Sequence, residues 1–505
     1  MLVPLTSLDT PTAAVAVTRC WVYGLSASLS SDQAAGYEGR LKAAAERMAR
    51  KWTLLAGVPP GRWAINVPDD LEETSKSRSL VGFSSTTHDK PYHLAAGLPA
   101  PLAPLKEIPS TFSLEPKMPF FVPASVPSSF ADHAKRQIPL LHVHLTFFTD
   151  AIALGVTLPH GAFDGTGYGL VLKALNAELH GEDWIVPPLF IENPLDRALD
   201  ALVKDEEIEA QANDLPPSLD GWGSPSFGGI VRLLSSMLSE LYWWKAESRW
   251  LFLRQAVIDH LVEKVKGEVK EKTGGKEYVS TGDIITAWFL KAAHADESSL
   301  SGFVAASPAY NVRSLLATYT TPSGYSPSAD LALYPHNSVV LYDLFPSPIS
   351  LCSLASSSLA DLALTFRRNL AVHRTLPALQ ALQRKLNARP DPSKPALLPQ
   401  RNWPTFFPSS SSSSSNGPVH RWLTTNQMSL GVADLALPDE DGKDLPLLYY
   451  SITGRAPLLL DHALAFQLVK GAGVTMIARV RSSRWESVKR AVEQLEKEVE
   501  AATHA

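Results

Sequence analysis

Residues 151–170 read AIALGVTLPHGAFDGTGYGL, and this stretch decides the fold because it joins a strand pattern to a helix pattern through one histidine loop. Just upstream, residues 141–147 alternate apolar and polar side chains, as the two faces of a β-strand do. After a short polar turn, residues 151–158 place large apolar side chains on one face and small residues or threonine on the other, so the two runs predict a β-hairpin. Pro159 lacks the N–H that a strand ladder needs and ends the second strand. From residue 165 onward, apolar residues at helical spacing predict a helix.

His160 is therefore expected at a strand end, in a short loop that contains Gly161 and Gly165. Loops held by rigid elements are common places for catalytic side chains. An imidazole with an ordinary pKa of about 6.5 is mostly neutral at pH 7 and can accept a proton. Two interpretations stay open from the spacing alone. His160 is either a general base, or a core or capping histidine that lies near the acid Asp164.

Length and composition limit the classes of protein to consider. A chain of 505 residues exceeds what one hydrophobic core usually serves, which predicts two domains. Hydrophobic residues at 45% and charged residues at 19% are typical of a globular protein. A net charge of −5 gives no general attraction to nucleic acid or to an anionic membrane. Two cysteines, Cys20 and Cys352, cannot build a disulfide framework, which favours a reducing compartment.

The remaining sequence signals exclude several kinds of site. There is no secretory leader pattern and no apolar run of about 20 residues, so a cytoplasmic protein without a transmembrane segment is expected. The sequence has no nucleophile elbow, Walker A loop, H-E-x-x-H or C-x-x-C motif. His142 and His144 share a strand face, but no third ligand accompanies them, so no metal is predicted. A predicted helix at 227–247 carries three adjacent aromatic residues, which indicate either an interdomain helix or a membrane-surface contact.

With its motifs taken in order, the chain resembles the BAHD acyltransferases, and most closely their fungal, trichothecene 3-O-acetyltransferase-like branch. HGAFDG at 160–165 is similar to the family's H-x-x-x-D-G. Weaker similarities keep the family's order along nearly the whole chain: PLTSLD (4–9), LAG (55–57), STGD (280–283), NVR (311–313), YPHN (334–337), LADLA (359–363) and GAGV (471–474). The second signature, D-F-G-W-G, is replaced by DLALP at 434–438, and Gln427 stands where a tryptophan is usual.

The resemblance implies an α/β fold of two similar domains, each with a mixed β-sheet flanked by helices as in chloramphenicol acetyltransferase. An active-site tunnel is expected between them. We expect residues 1–184 to form the domain that carries the H-x-x-x-D-G motif and residues 185–225 to form a crossover linker. Residues 226–505 would form the second domain. Its Pro- and Ser-rich segment near 390–418 cannot bury apolar surface and is predicted to be a disordered loop.

The resemblance also implies an activity: transfer of an acyl group, in the first instance acetyl, from acyl-CoA to a hydroxyl or amine. The acceptor would be a small molecule such as a fungal secondary metabolite, and the enzyme a cytoplasmic monomer that needs no metal. His160 would be the general base, and Asp164 would orient the loop through an ion pair with Arg313. The expected oxyanion donors are Thr425 and Asn426, and the expected coenzyme A contacts are Ser280, Thr281 and Thr424.

Alternatives to these assignments stay open. The residues at 424–426 can equally be ordinary polar residues of a strand, and Ser280 can equally be a plain helix cap. For the whole chain, one alternative is a catalytically degenerate binding or regulatory protein on the same fold. Another is an enzyme similar to condensation domains, whose motif is H-H-x-x-x-D-G. Pro159 stands here at the position of their first histidine.

Overall fold

The structure is a computed structural model that describes residues 1–6, 8–9, 15–60, 64–114, 118–212, 222–223, 235, 238–239, 242–387, 398–399, 419–454 and 462–504. The loop predicted near 390–418 lies outside the described residues, apart from a two-residue strand at Leu398–Pro399. Most of the helix predicted at 227–247 also lies outside them. Its last two residues, Ala246 and Glu247, belong to a strand instead.

Strands and helices alternate irregularly along the chain, as the sequence patterns predict for an α/β protein. The described strands are β1 (Leu2–Pro4), β2 (Ala16–Gly24), β3 (Ala64–Asn66), β4 (Gly82–Thr87), β5 (Thr111–Leu114), β6 (His142–Phe147), β7 (Ala151–Pro159), β8 (Trp222–Gly223), β9 (Ala246–Arg254), β10 (Phe303–Asn311), β11 (Val339–Leu341), β12 (Ile349–Ser350), β13 (Leu398–Pro399), β14 (Val419–Asn426), β15 (Leu447–Gly454), β16 (His462–Val469) and β17 (Gly473–Arg481). The described α-helices are α1 (Ser31–Lys51), α2 (Leu71–Ser77), α3 (Tyr92–Ala96), α4 (Phe130–Arg136), α5 (Gly165–His180), α6 (Pro194–Val203), α7 (Glu206–Ala212), α8 (Gln255–Thr273), α9 (Thr281–Ala293), α10 (Arg313–Leu316), α11 (Ser328–Ala332), α12 (Leu351–Ser356), α13 (Leu359–His373), α14 (Leu376–Asn387) and α15 (Ser482–His504).

A five-stranded sheet of order β15-β2-β7-β6-β4 carries the histidine loop. The predicted hairpin is confirmed: β6 and β7 are antiparallel, with Phe147 opposite Ile152. Strand β7 also pairs antiparallel with β2, whereas β4 and β6 are parallel, so the sheet is mixed. Helices α1 and α5 pack on this sheet because each buries an apolar face in one shared core. The loop after β7 is thus fixed between a central strand and a packed helix.

A second sheet has the order β11-β10-β14-β16-β17-β9-β5, with β12 pairing to β10. It is also mixed, since β14 is parallel to both neighbours while β16, β17 and β9 alternate in direction. Helices α8, α9, α13 and α15 bury their apolar faces in a second core with this sheet. A third, smaller core joins α6 to the segments 312–340 and 376–382.

The two sheets exchange strands across the predicted domain boundaries. Strand β15, from the C-terminal half, forms the edge of the first sheet beside β2. Strand β5, from the N-terminal half, forms the edge of the second sheet beside β9. Residues 185–212 contain helices α6 and α7, so this part of the predicted linker is largely helical. The division at residues 184 and 226 therefore stays a prediction about folding units. Across the described residues, no helix is both long enough and apolar enough to span a bilayer.

Candidate active site

Main-chain hydrogen bonds fix His160 at the end of β7. Its N–H donates to the carbonyl oxygen of Val15 at 2.8 Å. Its own carbonyl oxygen accepts a hydrogen bond from Nδ2 of Asn337 at 2.7 Å. The first contact comes from the chain that leads into β2, and the second from the segment between α11 and β11. Because both sides of the peptide are held, the imidazole starts from a fixed backbone position.

Tyr168, in the first turn of α5, ties the helix to the two strands just before the histidine. Its buried hydroxyl accepts the N–H of Leu158 at 2.7 Å and also contacts the carbonyl oxygen of Val17. Val17 and Leu158 are opposite each other on β2 and β7. The sequence pattern indicates only an apolar helix position for Tyr168. The available signal is that a buried tyrosine hydroxyl needs a partner.

The electrostatic surroundings keep His160 neutral. Burial lowers the pKa of His160 below its usual range, the Asp164 carboxylate opposes that shift, and the positive charge of Arg19 adds to it. The residue remains only half-buried, so part of its surface is exposed. A neutral imidazole at pH 7 is the form that can accept a proton from a nucleophile.

Asp164 is buried and holds two elements together. Its Oδ1 caps α5 by accepting the N–H groups of Thr166 and Gly167, each at 3.0 Å. The same carboxylate accepts Nη1 and Nη2 of buried Arg313, at 2.7 and 3.1 Å. The contact that the resemblance indicates is thus present. Arg313 lies just beyond the end of β10, as the first residue of α10.

The N-terminal motif reaches the same loop through Asn337. Both the N–H and Nδ2 of Asn337 donate to Oδ1 of Asp9, at 2.9 and 2.7 Å. Asp9 is fully buried, and burial raises its pKa to about 7, against the opposing effect of its hydrogen bonds to Asn337 and Thr6. A single amide nitrogen therefore connects Asp9 to the carbonyl of His160. The aspartate of the weak P-L-x-x-x-D similarity thus helps to hold the histidine loop through Asn337.

His336 forms a hydrogen bond with the backbone of the histidine loop. Its Nδ1 donates to the carbonyl oxygen of Ala162 at 2.8 Å, and the residue is buried. Burial lowers the pKa of His336 to about 4, so the ring is neutral at pH 7. The first turn of α5 approaches this segment closely, because a Cβ placed on Gly167 would lie 2.0 Å from the carbonyl oxygen of Pro335. Glycine is needed there for the helix start to pack.

The predicted oxyanion and coenzyme residues at 424–426 end strand β14 and point to alternate faces, as in any strand. Thr424 is buried, Thr425 is partly buried and Asn426 is exposed. Nδ2 of Asn426 lies against the first turn of α9, since a Cβ on Gly282 would be 2.1 Å away from it. Its Oδ1 accepts the N–H of Met428 at 3.0 Å. Asn426 and the start of α9 thus meet, whereas Thr425 faces the opposite side of the sheet.

Ser280 forms the N-cap of α9 in a capping box with Asp283. The hydroxyl of Ser280 accepts the N–H of Asp283 at 3.2 Å and donates to its carboxylate at 2.8 Å. Arg367 in turn pairs with Asp283. The side chain of Ser280 is therefore occupied in the cap, as the alternative interpretation allows. Thr281 is the first residue of the helix and is partly buried.

The segment that replaces D-F-G-W-G is firmly anchored. The apolar side chains at 432, 433, 435 and 437 are all buried in the core of the first sheet. Tyr23 donates its hydroxyl to the carbonyl oxygen of Leu435 at 2.6 Å, and Trp21 donates Nε1 to that of Ala433 at 3.3 Å. The N–H of Ala436 donates to Oδ1 of Asn176 at 2.9 Å. The segment that replaces D-F-G-W-G thus packs apolar side chains into the core of the first sheet.

His142 and His144 lie away from this loop in a local polar network. Both rings contact the hydroxyl of Ser84, at 3.1 and 2.8 Å. In the part of the chain that the structure describes, no three His, Cys, Asp or Glu side chains are grouped to hold a metal ion. Two surface depressions of about 300 and 400 Å³ are lined by residues other than those of the candidate site.

No family model matches the chain. In sequence it is similar to acetyltransferase BOT5 of Botryotinia fuckeliana, with 27% identity over 252 residues, 47% of this chain and 44% of the relative. It is 30% identical to O-acyltransferase pboC of Aspergillus ustus over 165 residues, 33% of each chain. It is also 25% identical to the transcriptional regulator calD of Penicillium decumbens over 346 residues, 65% of this chain and 63% of that one. The chain thus spans less than two thirds of these curated relatives.

Solved structures match over nearly the full length. TRI101 of F. sporotrichioides, in complex with coenzyme A and T-2, gives a TM-score of 0.58 at 16% identity, covering 97% of each chain. Vinorine synthase gives 0.54 at 13% identity, over 98% of this chain and 93% of that one. The condensation domain of the polyketide synthase MokA gives 0.51 at 11% identity, over 99% and 97%. The predicted mixed α/β fold, shared with TRI101 and vinorine synthase, is therefore confirmed. The predicted resemblance to fungal acyltransferases agrees with the sequence similarity to BOT5 and pboC.

Proposed function

We propose that this chain is an acyl-CoA-dependent acyltransferase that transfers an acyl group, acetyl in the first instance, to a hydroxyl or amine of a small molecule. The observation that carries the proposal is His160, neutral and held by its backbone at the end of β7. The fold around it matches, over 97% of both chains, a structure that contains coenzyme A and a small molecule. A secondary metabolite is the expected acceptor, since the curated relatives include fungal acyltransferases.

In the proposed reaction, His160 accepts the proton of the acceptor hydroxyl or amine as that group attacks the thioester carbonyl. The tetrahedral intermediate then breaks its carbon–sulfur bond, the acyl group stays on the acceptor, and the protonated imidazole returns its proton to the leaving thiolate. General-base catalysis of this kind contributes about 10²–10⁴-fold. Holding both substrates in one site adds a further entropic advantage.

The remaining site residues receive roles that fit their positions. Thr425 and Asn426 are proposed as donors to the oxyanion, and because they face opposite sides of β14, one of them at most is expected to lie beside the intermediate. The start of α9, with Ser280 and Thr281, is proposed to bind coenzyme A together with Thr424. With the Ser280 hydroxyl occupied in the cap, the free N–H groups of the first turn would contact phosphate.

Asp164 is proposed to orient the loop and not to relay protons, because its carboxylate is occupied by Arg313 and by the cap of α5. The tunnel between the two sheets, the division into two domains, the monomeric state and the cytoplasmic location stay predictions. The two described cysteines are not bonded to each other, which fits the proposed reducing location.

A second candidate is a non-catalytic regulatory protein built on the same fold. The similarity to the transcriptional regulator calD extends over 65% of this chain, more than the 47% and 33% matched by the two acyltransferases described above. The loss of the second signature points in the same direction. This candidate predicts that coenzyme A is not bound, or that it is bound without transfer.

Calorimetry with coenzyme A and acetyl-CoA, followed by transfer assays on pooled hydroxylated metabolites, separates the two candidates. Wild type, His160→Ala and a control, His260→Ala, are measured in parallel; His260 is a half-exposed histidine beside Glu498. We expect coenzyme A binding in all three and transfer in wild type and the control alone. Binding without transfer by wild type across broad acceptor and acyl-CoA panels contradicts the enzymatic proposal, as does full activity of His160→Ala.

A further inference from the structure

Arg19 is a buried positive charge that has no counter-ion among the residues the structure describes. It lies in the middle of β2 and is 1% exposed. Its Nη1 donates to the hydroxyl of Tyr450 at 2.9 Å, and its Nη2 to Oε1 of Gln427 at 2.6 Å. Within the described ranges, its Nε has no hydrogen-bond partner and no carboxylate pairs with it. A guanidinium stays protonated in proteins, so this charge cannot be removed by losing a proton.

Other arginines of the chain show what this side chain usually contacts. Buried Arg313 pairs with Asp164, and buried Arg484 donates Nε and Nη2 to Glu297 at 2.8 and 2.9 Å. Arg254 uses the same Nε–Nη2 edge to bind Glu496, at 2.8 and 2.6 Å. In Arg19 this edge carries one neutral amide oxygen on Nη2 and no described partner on Nε. This Nε–Nη2 edge has the geometry to bind a carboxylate, but only its Nη2 has a described hydrogen-bond partner.

The position of Arg19 places this edge near the proposed reaction. Its charge lowers the pKa of His160, which places the two groups within electrostatic reach of each other. Gln427, which accepts from Nη2 of Arg19, also lies against the start of α5, because a Cβ on Gly165 would lie 3.4 Å from Nε2 of Gln427. Gln427 is partly exposed, so its side chain can turn away without disturbing a packed core.

Burying a charge without a counter-ion is costly, and a carboxylate on the free edge would offset that cost with two charge-assisted hydrogen bonds. We propose that the Nε–Nη2 edge of Arg19 binds a carboxylate carried by one of the substrates, in place of the Gln427 amide oxygen. This inference rests on the proposed acyltransferase function and narrows its substrate class. The carboxylate belongs either to the acyl group of the donor or to the acceptor, which present the same chemistry to the guanidinium.

Two arms of one experiment separate these sources. In the donor arm, calorimetry compares coenzyme A, acetyl-CoA and malonyl-CoA. In the acceptor arm, transfer from acetyl-CoA is compared between hydroxy acids and their methyl esters. We expect wild type to prefer the carboxylate form about 10- to 100-fold in one arm, as for a hydrogen-bonded ion pair. Arg19→Met should remove the preference, and Arg19→Lys should retain part of it, because lysine keeps the charge but loses the two-pronged edge. Arg40→Met, at an exposed arginine, is the matched control.

The inference is overturned if wild type shows no preference for the substrate that carries a carboxylate in either arm. A preference that survives Arg19→Met overturns it as well. If Arg19→Met and Arg19→Lys lose activity equally on every substrate, Arg19 has a structural role through Tyr450 and Gln427. That result also overturns the inference. A failure of the proposed function is recognised separately, because wild type then either gives no heat with coenzyme A or binds it without transfer to any acceptor, and this inference falls with it.

Discussion

Asp164 and Arg313 form a two-pronged ion pair between the histidine loop and the start of α10, with Nη1–Oδ2 and Nη2–Oδ1 distances of 2.7 and 3.1 Å. They are 149 residues apart in sequence, and both are buried. Nη2 of Arg313 also donates to the carbonyl oxygen of His336 at 2.5 Å, and its Nε to that of Tyr334 at 3.0 Å. The acid of the H-x-x-x-D-G motif is therefore a junction between the two halves of the chain.

Replacing Asp164 with alanine should lower stability as much as activity. The change leaves Arg313 buried without its counter-ion and removes the cap of α5, which together should reduce the free energy of unfolding by about 3–5 kcal/mol. Asp164→Asn should lose less, because an asparagine oxygen can still cap the helix. Urea unfolding and the rate of acyl transfer are measured for each variant.

A double variant, Asp164→Asn with Arg313→Met, is the control for this prediction. Because it removes both charges together, it should be more stable than the sum of the single losses predicts. Asp164→Asn with unchanged stability but no activity would instead indicate a catalytic carboxylate.

The rate of transfer should stay high down to slightly acidic pH. Since burial lowers the pKa of His160, the imidazole remains neutral and able to accept a proton below pH 6.5. We expect the acidic limb of the kcat/KM profile to have its midpoint below 6.5 and to vanish in His160→Ala, whose residual rate should be about 10²–10⁴-fold lower. A midpoint above 6.5 contradicts the environment described for this ring, which keeps it neutral at pH 7.

Removing the hydroxyl of Tyr168 should disturb the loop without touching the imidazole. Tyr168→Phe leaves the buried N–H of Leu158 without this partner, which should cost about 1–3 kcal/mol of unfolding free energy. Transfer should fall as well, because Leu158 lies two residues before His160. Both quantities are measured on the purified variant.

Tyr23→Phe is the matched control. Tyr23 is buried, and its hydroxyl bonds to the carbonyl of Leu435, so a similar loss of stability is expected. Its activity should remain near that of wild type. If both variants lose activity equally, the effect reflects general destabilisation and the positioning role of Tyr168 is wrong.

The parts of this site that follow from local sequence pattern were predictable, and those that depend on distant pairing were not. Alternation and Pro159 predict the hairpin and the loop because each signal lies within a few residues. Strand β5 lies in a Pro- and Ser-rich stretch, and its pairing with β9, more than 130 residues away, leaves no local mark. The family resemblance supplies the partner of Asp164, which spacing alone cannot. Arg19 was missed although it has a visible signal, a charge inside the apolar run of β2.

The protein should lose stability between pH 6.5 and pH 4, because several histidines are buried in their neutral form. Burial lowers to about 4 the pKa values of four of them: His133, His144, His294 and His336. In the unfolded chain these groups titrate near 6.5. As pH falls below 6.5 the unfolded state therefore binds more protons than the folded state, and the free energy of unfolding decreases.

Asp9 opposes this trend, because burial raises its pKa to about 7 and the folded state then binds a proton that the unfolded state lacks. Asp196, whose pKa burial raises to about 6, acts in the same direction as Asp9. The histidines outnumber these two acids, because burial also lowers the pKa values of His160, His373, His420 and His462, so the free energy of unfolding should be lower at pH 5.5 than at pH 7.5. Urea unfolding at the two pH values measures the difference. His133→Phe, which removes one of the four buried groups, should reduce it by about 1.4 kcal/mol. Equal or greater stability at pH 5.5 would show that these histidines are not held neutral in the folded protein.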